Sequence, residues 1–164
     1  MTTLTWDRAR GHASAYDVVI EGFNYRLDEV RAAIGLVQLR RLSAGNAARA
    51  GHHARYREAL DGSAGITMPF RAFPEESSSH HLAVVLLPEG VDRARVQDRL
   101  REERIQTSVH YPPIHRFTAY RDGGATRRLP RTDNVAERIL SLPLFPHMTK
   151  DQVDLVVDKL LAAV

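Results

Sequence analysis

Residues Gly22–Leu39 read GFNYRLDEVRAAIGLVQL, and most of this stretch has the spacing of an amphipathic helix. The apolar residues that share one helical face are Leu27, Val30, Ile34 and Val37. Asn24 and Arg26 lie on the turn directly before the helix, where free backbone N–H groups and the helix dipole favour an anion. An amide and a guanidinium both donate to phosphate oxygens. The stretch therefore predicts a helix that begins beside an anion-binding corner.

A plainer interpretation of this corner is that Asn24 caps a turn and Arg26 lies on the surface at the start of the helix. Residues 1–26 otherwise have no sustained period, which predicts an irregular lead-in. The helical pattern weakens around Gly45 and resumes over Ala47–Leu60. This predicts either two helices that meet at Gly45 or one helix that bends there.

The middle of the chain alternates between strand and helix patterns. His80–Leu87 is apolar on both faces and ends at Pro88, which predicts a strand inside a sheet. Asp92 is placed to cap a helix whose Val96 and Leu100 face the core. Ile105–Tyr111 then alternates in polarity, which predicts a second strand.

The last third of the chain continues in the same way. Thr132 is expected to start a short helix that ends near Ile139, and residues 140–145 form an extended piece. Thr149 and Gln152 make a capping box before a final amphipathic helix. This order predicts an α/β (α+β) fold, a small sandwich of helices on a modest mixed or antiparallel sheet. The division expected is a lead-in over 1–26 and one small domain over 27–164.

Composition limits the classes of function. The chain has 164 residues and no cysteine, which excludes disulfides and thiolate metal sites and favours a cytoplasmic location. No apolar run approaches the roughly 20 residues of a membrane span. The net charge is +3, but acids and bases are interleaved through Arg93–Arg104, so we expect a solvated helix face and no nucleic-acid partner.

A second group of candidate site residues follows the predicted strand over 105–111. His110, Tyr111 and His115 flank paired prolines that stiffen the loop, and their side chains suit hydrogen bonding to a sugar or nucleotide. The alternatives are an ordinary loop or a metal-binding histidine pair. We expect no metal, because no carboxylate or cysteine lies nearby in sequence to complete the shell.

The chain contains only two lysines, Lys150 and Lys159, both within the predicted last helix. Their default role is solvent exposure or, for Lys159, interaction with the helix dipole. Neither is a candidate for a Schiff base. The sequence therefore offers no catalytic residue.

The chain resembles the sugar aminotransferases typified by DegT, DnrJ and StrS, which use pyridoxal phosphate. The segments that carry the resemblance are Met1–Arg8, His12–Ser14, Tyr16–Val18, Gly22–Leu39, His110–His115, Leu129–Thr132 and Leu142–Thr149. It implies the C-terminal domain of a fold-type I aminotransferase. It also implies that Asn24 reaches the cofactor phosphate in a neighbouring subunit, that Arg26 faces the cofactor or substrate, and that His110 and Tyr111 border the nucleotide-sugar pocket.

In such enzymes the lysine that holds the cofactor precedes the Gly22–Leu39 segment, and no lysine precedes it here. The resemblance therefore implies the C-terminal part of a nucleotide-sugar aminotransferase that does not hold pyridoxal phosphate covalently and is inactive alone. The implied partner is a second copy or a chain that carries the cofactor domain. The alternative is a stand-alone module that binds a nucleotide sugar or dimerises without catalysis.

Overall fold

A computed structural model describes residues 23, 25–74, 78–121 and 128–164. The chain divides into two compact units, Met1–Arg40 and Arg41–Val164. Within the described residues, no helix is both long enough and apolar enough to cross a membrane.

Helix α1 runs without interruption from Glu29 to Leu60, a length of 32 residues. Asp28 precedes it and accepts a hydrogen bond from the Arg31 backbone N–H at 2.9 Å. Of the two alternatives expected at Gly45, the structure has one helix and not two that meet there. Glycine costs a helix interior only about 1 kcal/mol relative to alanine, which the surrounding turns can absorb. Gly45 also lies close to Pro146, whose ring would be 3.5 Å from an added Cβ atom.

The sheet consists of two antiparallel strands, β1 (Ala83–Leu86) and β2 (Ile139–Leu142). Their register pairs Ala83 with Leu142 and Leu86 with Ile139. The strand expected over 80–87 is therefore shorter, and its side chains alternate between buried and half-buried. A single antiparallel bridge extends each outer edge, Thr67 to Leu86 beside β1 and Ser108 to Ser141 beside β2.

The second strand expected over 105–111 is wrong. Only Ser108 pairs with the sheet, through two hydrogen bonds with Ser141. The alternating polarity of residues 105–111 predicts which of their side chains are buried. It does not show whether a neighbouring strand is long enough to pair with this segment. Pro112 and Pro113 lack the N–H group that a longer ladder would need.

The remaining helices pack around this sheet. Their bounds are Arg93–Glu102 for α2, Thr118–Arg121 for α3, Pro130–Arg138 for α4 and Lys150–Ala163 for α5, with short 3₁₀ turns at Ser63–Gly65 and Ile114–Arg116. Asp92 caps α2 by accepting from the backbone N–H groups of Ala94 and Arg95 at 2.9 and 3.4 Å. The predicted capping box is confirmed at the start of α5. Helix α4 starts at Pro130, two residues before Thr132, where the ring of proline suits the first helical turn.

The core lies between the C-terminal half of α1, the sheet, α2 and α5. Its fully buried members include Tyr56, Leu60, Ile66, Val85, Leu87, Leu100, Leu140, Val153 and Leu160. Arg55 donates to Asp154 at 2.6 Å and so connects α1 to α5, which lowers the pKa of Asp154. The predicted α+β class, with helices on a modest antiparallel sheet, is confirmed.

Candidate functional site

The anion-binding corner is described only in part. Asn24 lies outside the described residues. Arg26 is exposed just before α1, and within the described segments it has no hydrogen-bond partner.

An open cleft of about 640 Å³ lies within the Arg41–Val164 unit. It lies between the segment that follows α2, the end of β2 with the loop after it, and the start of α5. Most of its lining is apolar, including Ile105, Leu142, Leu144, Phe145, Met148 and Val156. Its polar groups come from His81, Glu103, Arg104, Gln106, Ser108, His110, Ser141 and Gln152. A concave apolar surface with a few polar groups is typical of sites for small organic ligands.

His110 is held at the wall of this cleft by β2. Its Nδ1 atom lies 3.0 Å from the hydroxyl oxygen of Ser141. Ser141 is 3% exposed, and its backbone exchanges hydrogen bonds of 2.8 and 3.1 Å with Ser108. The bridge at Ser108 thus carries the chain past Ser141 and places His110 beside the cleft two residues later.

Tyr111 contacts His110 but faces a different cavity. The two rings meet edge to face, with centroids 5.0 Å apart, and the tyrosine is 70% exposed. It lines a hollow of about 360 Å³ with residues of α4 that include Arg131 and Val135.

His115 is fixed to α4 and does not line the cleft. Its Nε2 atom lies 3.0 Å from Asp133 Oδ1, and Arg116 Nε donates to the same oxygen at 2.9 Å. Desolvation raises the pKa of Asp133, but the hydrogen bonds from Arg116 and His115 outweigh it and lower that pKa. The structure therefore brings His110 and Tyr111 together and directs His115 elsewhere.

Neither lysine has the environment that a Schiff base requires. Lys150 is exposed in the first turn of α5, and Lys159 Nζ lies 2.8 Å from Glu103 Oε1 in an ion pair. A Schiff-base amine has to be desolvated and aimed into a cavity. The described residues therefore do not fit a complete site for pyridoxal phosphate, and we assign them no step of its chemistry.

The two pairs of adjacent histidines, His52–His53 and His80–His81, form no metal centre within the part of the chain that the structure describes. His53 of α1 and His80 have ring centroids 4.8 Å apart, but no group of three or more His, Asp or Glu residues is placed to hold an ion. Buried His80 and half-buried His53 pack between α1 and the segment before β1.

Sequence reasoning missed Ser141 as a site residue. One signal could have found it, because Ser141 is the only polar side chain among the apolar residues 139–145. A polar group inside a buried strand needs a hydrogen-bond partner. Which partner it finds depends on the antiparallel register and on the bridge to Ser108.

A family model described as the DegT/DnrJ/EryC1/StrS aminotransferase family matches residues 4–161. The chain is also similar to solved structures. One is DesV of S. venezuelae in complex with a ketimine intermediate, at 33% identity and a TM-score of 0.78. That similarity covers 94% of this chain and 41% of DesV.

Two further structures agree with this similarity. The aminotransferase TlmJ of Streptoalloteichus hindustanus is 29% identical with a TM-score of 0.78, over 90% of this chain and 39% of TlmJ. The sugar aminotransferase CalS13 of Micromonospora echinospora is 26% identical with a TM-score of 0.79, over 91% of this chain and 39% of CalS13. The chain therefore spans about two fifths of the length of the structures that it matches.

Proposed function

We propose that this chain, which belongs to the DegT/DnrJ/EryC1/StrS aminotransferase family, is the C-terminal part of a nucleotide-sugar aminotransferase. The family depends on pyridoxal phosphate. The proposal adds that these 164 residues supply no amine for the cofactor and do not transaminate by themselves. The missing chemistry would come from a region or chain that carries the Schiff-base lysine.

The observation that supports this proposal is the environment of the two lysine side chains, Lys150 and Lys159. Lys159 is paired with Glu103, and Lys150 is exposed at a helix start and does not line the cleft. Neither amine therefore has the enclosed, apolar surroundings that make a lysine an effective nucleophile. An aminotransferase needs its lysine amine unprotonated for the covalent step.

The remaining site residues are proposed as binding groups. Asn24 and Arg26 would donate to the cofactor phosphate or to an anionic part of the substrate. His110 and Tyr111 would border the nucleotide sugar, and His115 would support the loop that carries them. The mostly apolar cleft beside His110 supports this assignment, because it offers a face for the sugar ring and polar groups at its rim.

Absorption spectroscopy with pyridoxal phosphate tests the proposal. We expect the purified chain to give no stable Schiff-base band at stoichiometric cofactor, and borohydride followed by mass spectrometry to leave Lys150 and Lys159 unmodified. A full-length sugar aminotransferase treated in parallel is the positive control. A stoichiometric reduced adduct on either lysine of this chain, lost in Lys150→Ala or Lys159→Ala, would contradict the proposal.

The second candidate function is a stand-alone module that binds a nucleotide sugar without catalysis. It is favoured by one observation, that the cleft is formed entirely within Arg41–Val164. Calorimetry with nucleotide-diphosphate sugars distinguishes the two functions. Binding by this chain alone supports the module, whereas binding only after a lysine-bearing cofactor domain is added supports the first proposal.

The partner is proposed to be a second copy of this chain or a chain with the cofactor domain. Support comes from the first half of α1, where Val30, Ile34 and Val37 are 69%, 57% and 44% exposed. Glu29 and Arg40 lie 11 residues apart, which places them on one flank of the helix. In an antiparallel pair of α1 helices centred near Ile34, each Glu29 would lie beside the Arg40 of the other copy.

A further inference from the structure

We propose that Ser141 is a positioning residue that holds His110 as its Nε2–H tautomer, so that His110 presents an N–H donor to the cleft. The proposal rests on the proposed function only for the identity of the ligand, a nucleotide sugar. The assignment of the proton to one nitrogen of His110 does not depend on the proposed function. It rests on the geometry of β2 alone.

Ser141 is one of the most constrained polar residues of the described chain. It lies in β2 opposite Val84, and its backbone N–H and carbonyl are both bonded to Ser108. Its side chain is buried with the residue, which is 3% exposed. The only side-chain partner of its hydroxyl among the described residues is His110 Nδ1, at 3.0 Å.

The direction of this hydrogen bond follows from counting donors and acceptors. If Nδ1 carried the proton, it would donate to Ser141 Oγ and the hydroxyl hydrogen would be buried without an acceptor. A buried donor without a partner costs about 1–3 kcal/mol. If the hydroxyl instead donates to an unprotonated Nδ1, one hydrogen bond satisfies both groups. The second arrangement places the proton of a neutral His110 on Nε2.

The consequence for the cleft is a defined recognition chemistry. With Nδ1 occupied by Ser141, the other edge of the ring offers a single N–H donor. It selects an acceptor oxygen, such as a sugar carbonyl, a hydroxyl or a phosphate, and does not accept from a ligand N–H. Two other polar groups of the cleft are already engaged, because Glu103 pairs with Lys159 and the Gln152 side-chain oxygen accepts from the Thr149 backbone.

Nitrogen-15 NMR of histidine-labelled chain tests the tautomer directly. We would measure it at about pH 8.5, where an ordinary imidazole is neutral, and assign the His110 signals by their loss in His110→Gln. The expected wild-type result is one tautomer with the proton on Nε2 and an Nδ1 shift typical of a hydrogen-bond acceptor. A protonated Nδ1 in the wild type would overturn the proposal whatever the variants do.

Substitution of Ser141 then tests the cause. Ser141→Ala should shift Nδ1 toward the value of a free nitrogen and give a mixture of tautomers in fast exchange. Ser141→Thr keeps the hydroxyl and should show the wild-type His110 nitrogen shifts. This result would assign the change in Ser141→Ala to the lost hydroxyl and not to altered packing. Wild-type His110 shifts in Ser141→Ala would overturn the proposal, since another group would then be fixing the ring.

A ligand titration separates this proposal from the proposed function. If the chain, alone or with a cofactor domain, binds a nucleotide-diphosphate sugar, we expect Ser141→Ala to weaken binding about 5- to 10-fold, the loss of roughly one oriented hydrogen bond. Equal affinities in Ser141→Ala and wild type would overturn the role of the donor in binding. No binding in any combination would remove the proposed ligand, and the NMR result would still decide the tautomer.

Discussion

At the scale of single residues, the partner of a side chain determines what it contributes to the site. His110, Tyr111 and His115 lie within six positions of one another, yet they contact three different surroundings. His110 is hydrogen-bonded to Ser141, Tyr111 is exposed, and His115 is bonded to Asp133. Only His110 therefore reaches the cleft with a fixed ring.

Asp133→Asn is expected to release the 114–116 turn from α4. The carboxylate accepts from His115 and Arg116, and these bonds keep its pKa below the ordinary 3.8. A depressed native pKa stabilises the fold above the unfolded value and is lost as the pH falls through the native value. The variant should therefore unfold at a modestly lower temperature at pH 7, as seen by circular dichroism, and the difference from wild type should shrink as the pH falls below 3.8.

Glu137→Gln is the matched control for that experiment. Glu137 accepts only a long hydrogen bond from Arg116, with 3.5 Å between Nη2 and Oε1. Among the described contacts it has none with His115. A thermal midpoint as low as that of Asp133→Asn would show that the general loss of charge on α4 matters and the Asp133 bonds do not.

Tyr56→Phe is expected to lower the free energy of unfolding by about 1–2 kcal/mol. The Tyr56 hydroxyl donates to the Pro143 carbonyl at 3.0 Å, and its removal leaves that oxygen unpaired. Tyr56 is fully buried, which raises its pKa above the ordinary 10.0. Since the unfolded chain ionises first, wild-type stability should fall as the pH rises above 10.

Urea unfolding at pH 7 and at about pH 10.5 measures both effects. The deficit of Tyr56→Phe should shrink at the higher pH, because phenylalanine has no ionisation to suppress. Tyr120→Phe is the control, since Tyr120 is exposed and contributes no such bond among the described residues. A deficit that grows with pH would contradict the argument.

At the scale of elements, the helix starts are the most predictable features. Asp92 and the Thr149–Gln152 pair cap α2 and α5 as their sequence positions predict. The strands are less predictable, because each is only four residues long and depends on its partner. Helix α1 shows another limit of local pattern, since it continues through Gly45, where the helical pattern of the sequence weakens.

Thr149→Ala is expected to cost about 1 kcal/mol, the usual value of an N-cap. The Thr149 hydroxyl accepts from the Gln152 backbone at 3.2 Å, and the Gln152 side chain accepts from the Thr149 backbone at 2.9 Å. This should lower the melting temperature by about 2–4 °C in calorimetry. Thr149→Ser keeps the hydroxyl and should melt close to wild type; an equal loss in both variants would assign the effect to the methyl group.

At the scale of the whole molecule, the two compact units differ in how much apolar surface they leave open. The Arg41–Val164 unit has a continuous buried core. The described part of Met1–Arg40 instead exposes Leu27, Val30 and Ile34 by more than half of their surface. Apolar stripes of this kind are typical of surfaces that bind another protein or another part of one.

We therefore expect the chain to self-associate at micromolar concentration, and Ile34→Lys to shift it toward monomer in sedimentation velocity. A charge in the middle of an apolar stripe opposes burial by any partner. Ala54→Lys adds the same charge at an exposed position of α1 within the other unit and is the control. A wild-type chain that sediments as a monomer at these concentrations would remove the second copy as the proposed partner and leave the cofactor-domain chain.

The sequence by itself determined the family, the helix caps and the core positions of α2 and α5. The family resemblance rests on motifs spread along the chain. The helix caps and core positions depend on residues within about four positions of each other, so local hydrogen bonds and periodicity suffice to encode them. The tertiary structure alone decided that residues 105–111 pair with the sheet only at Ser108, that His110 meets Ser141 across 31 positions and that His115 meets Asp133 across 18. Such contacts exist only after β1 and β2 align and α4 packs beside the loop, because pairing between distant segments is fixed by register and packing and not by local pattern.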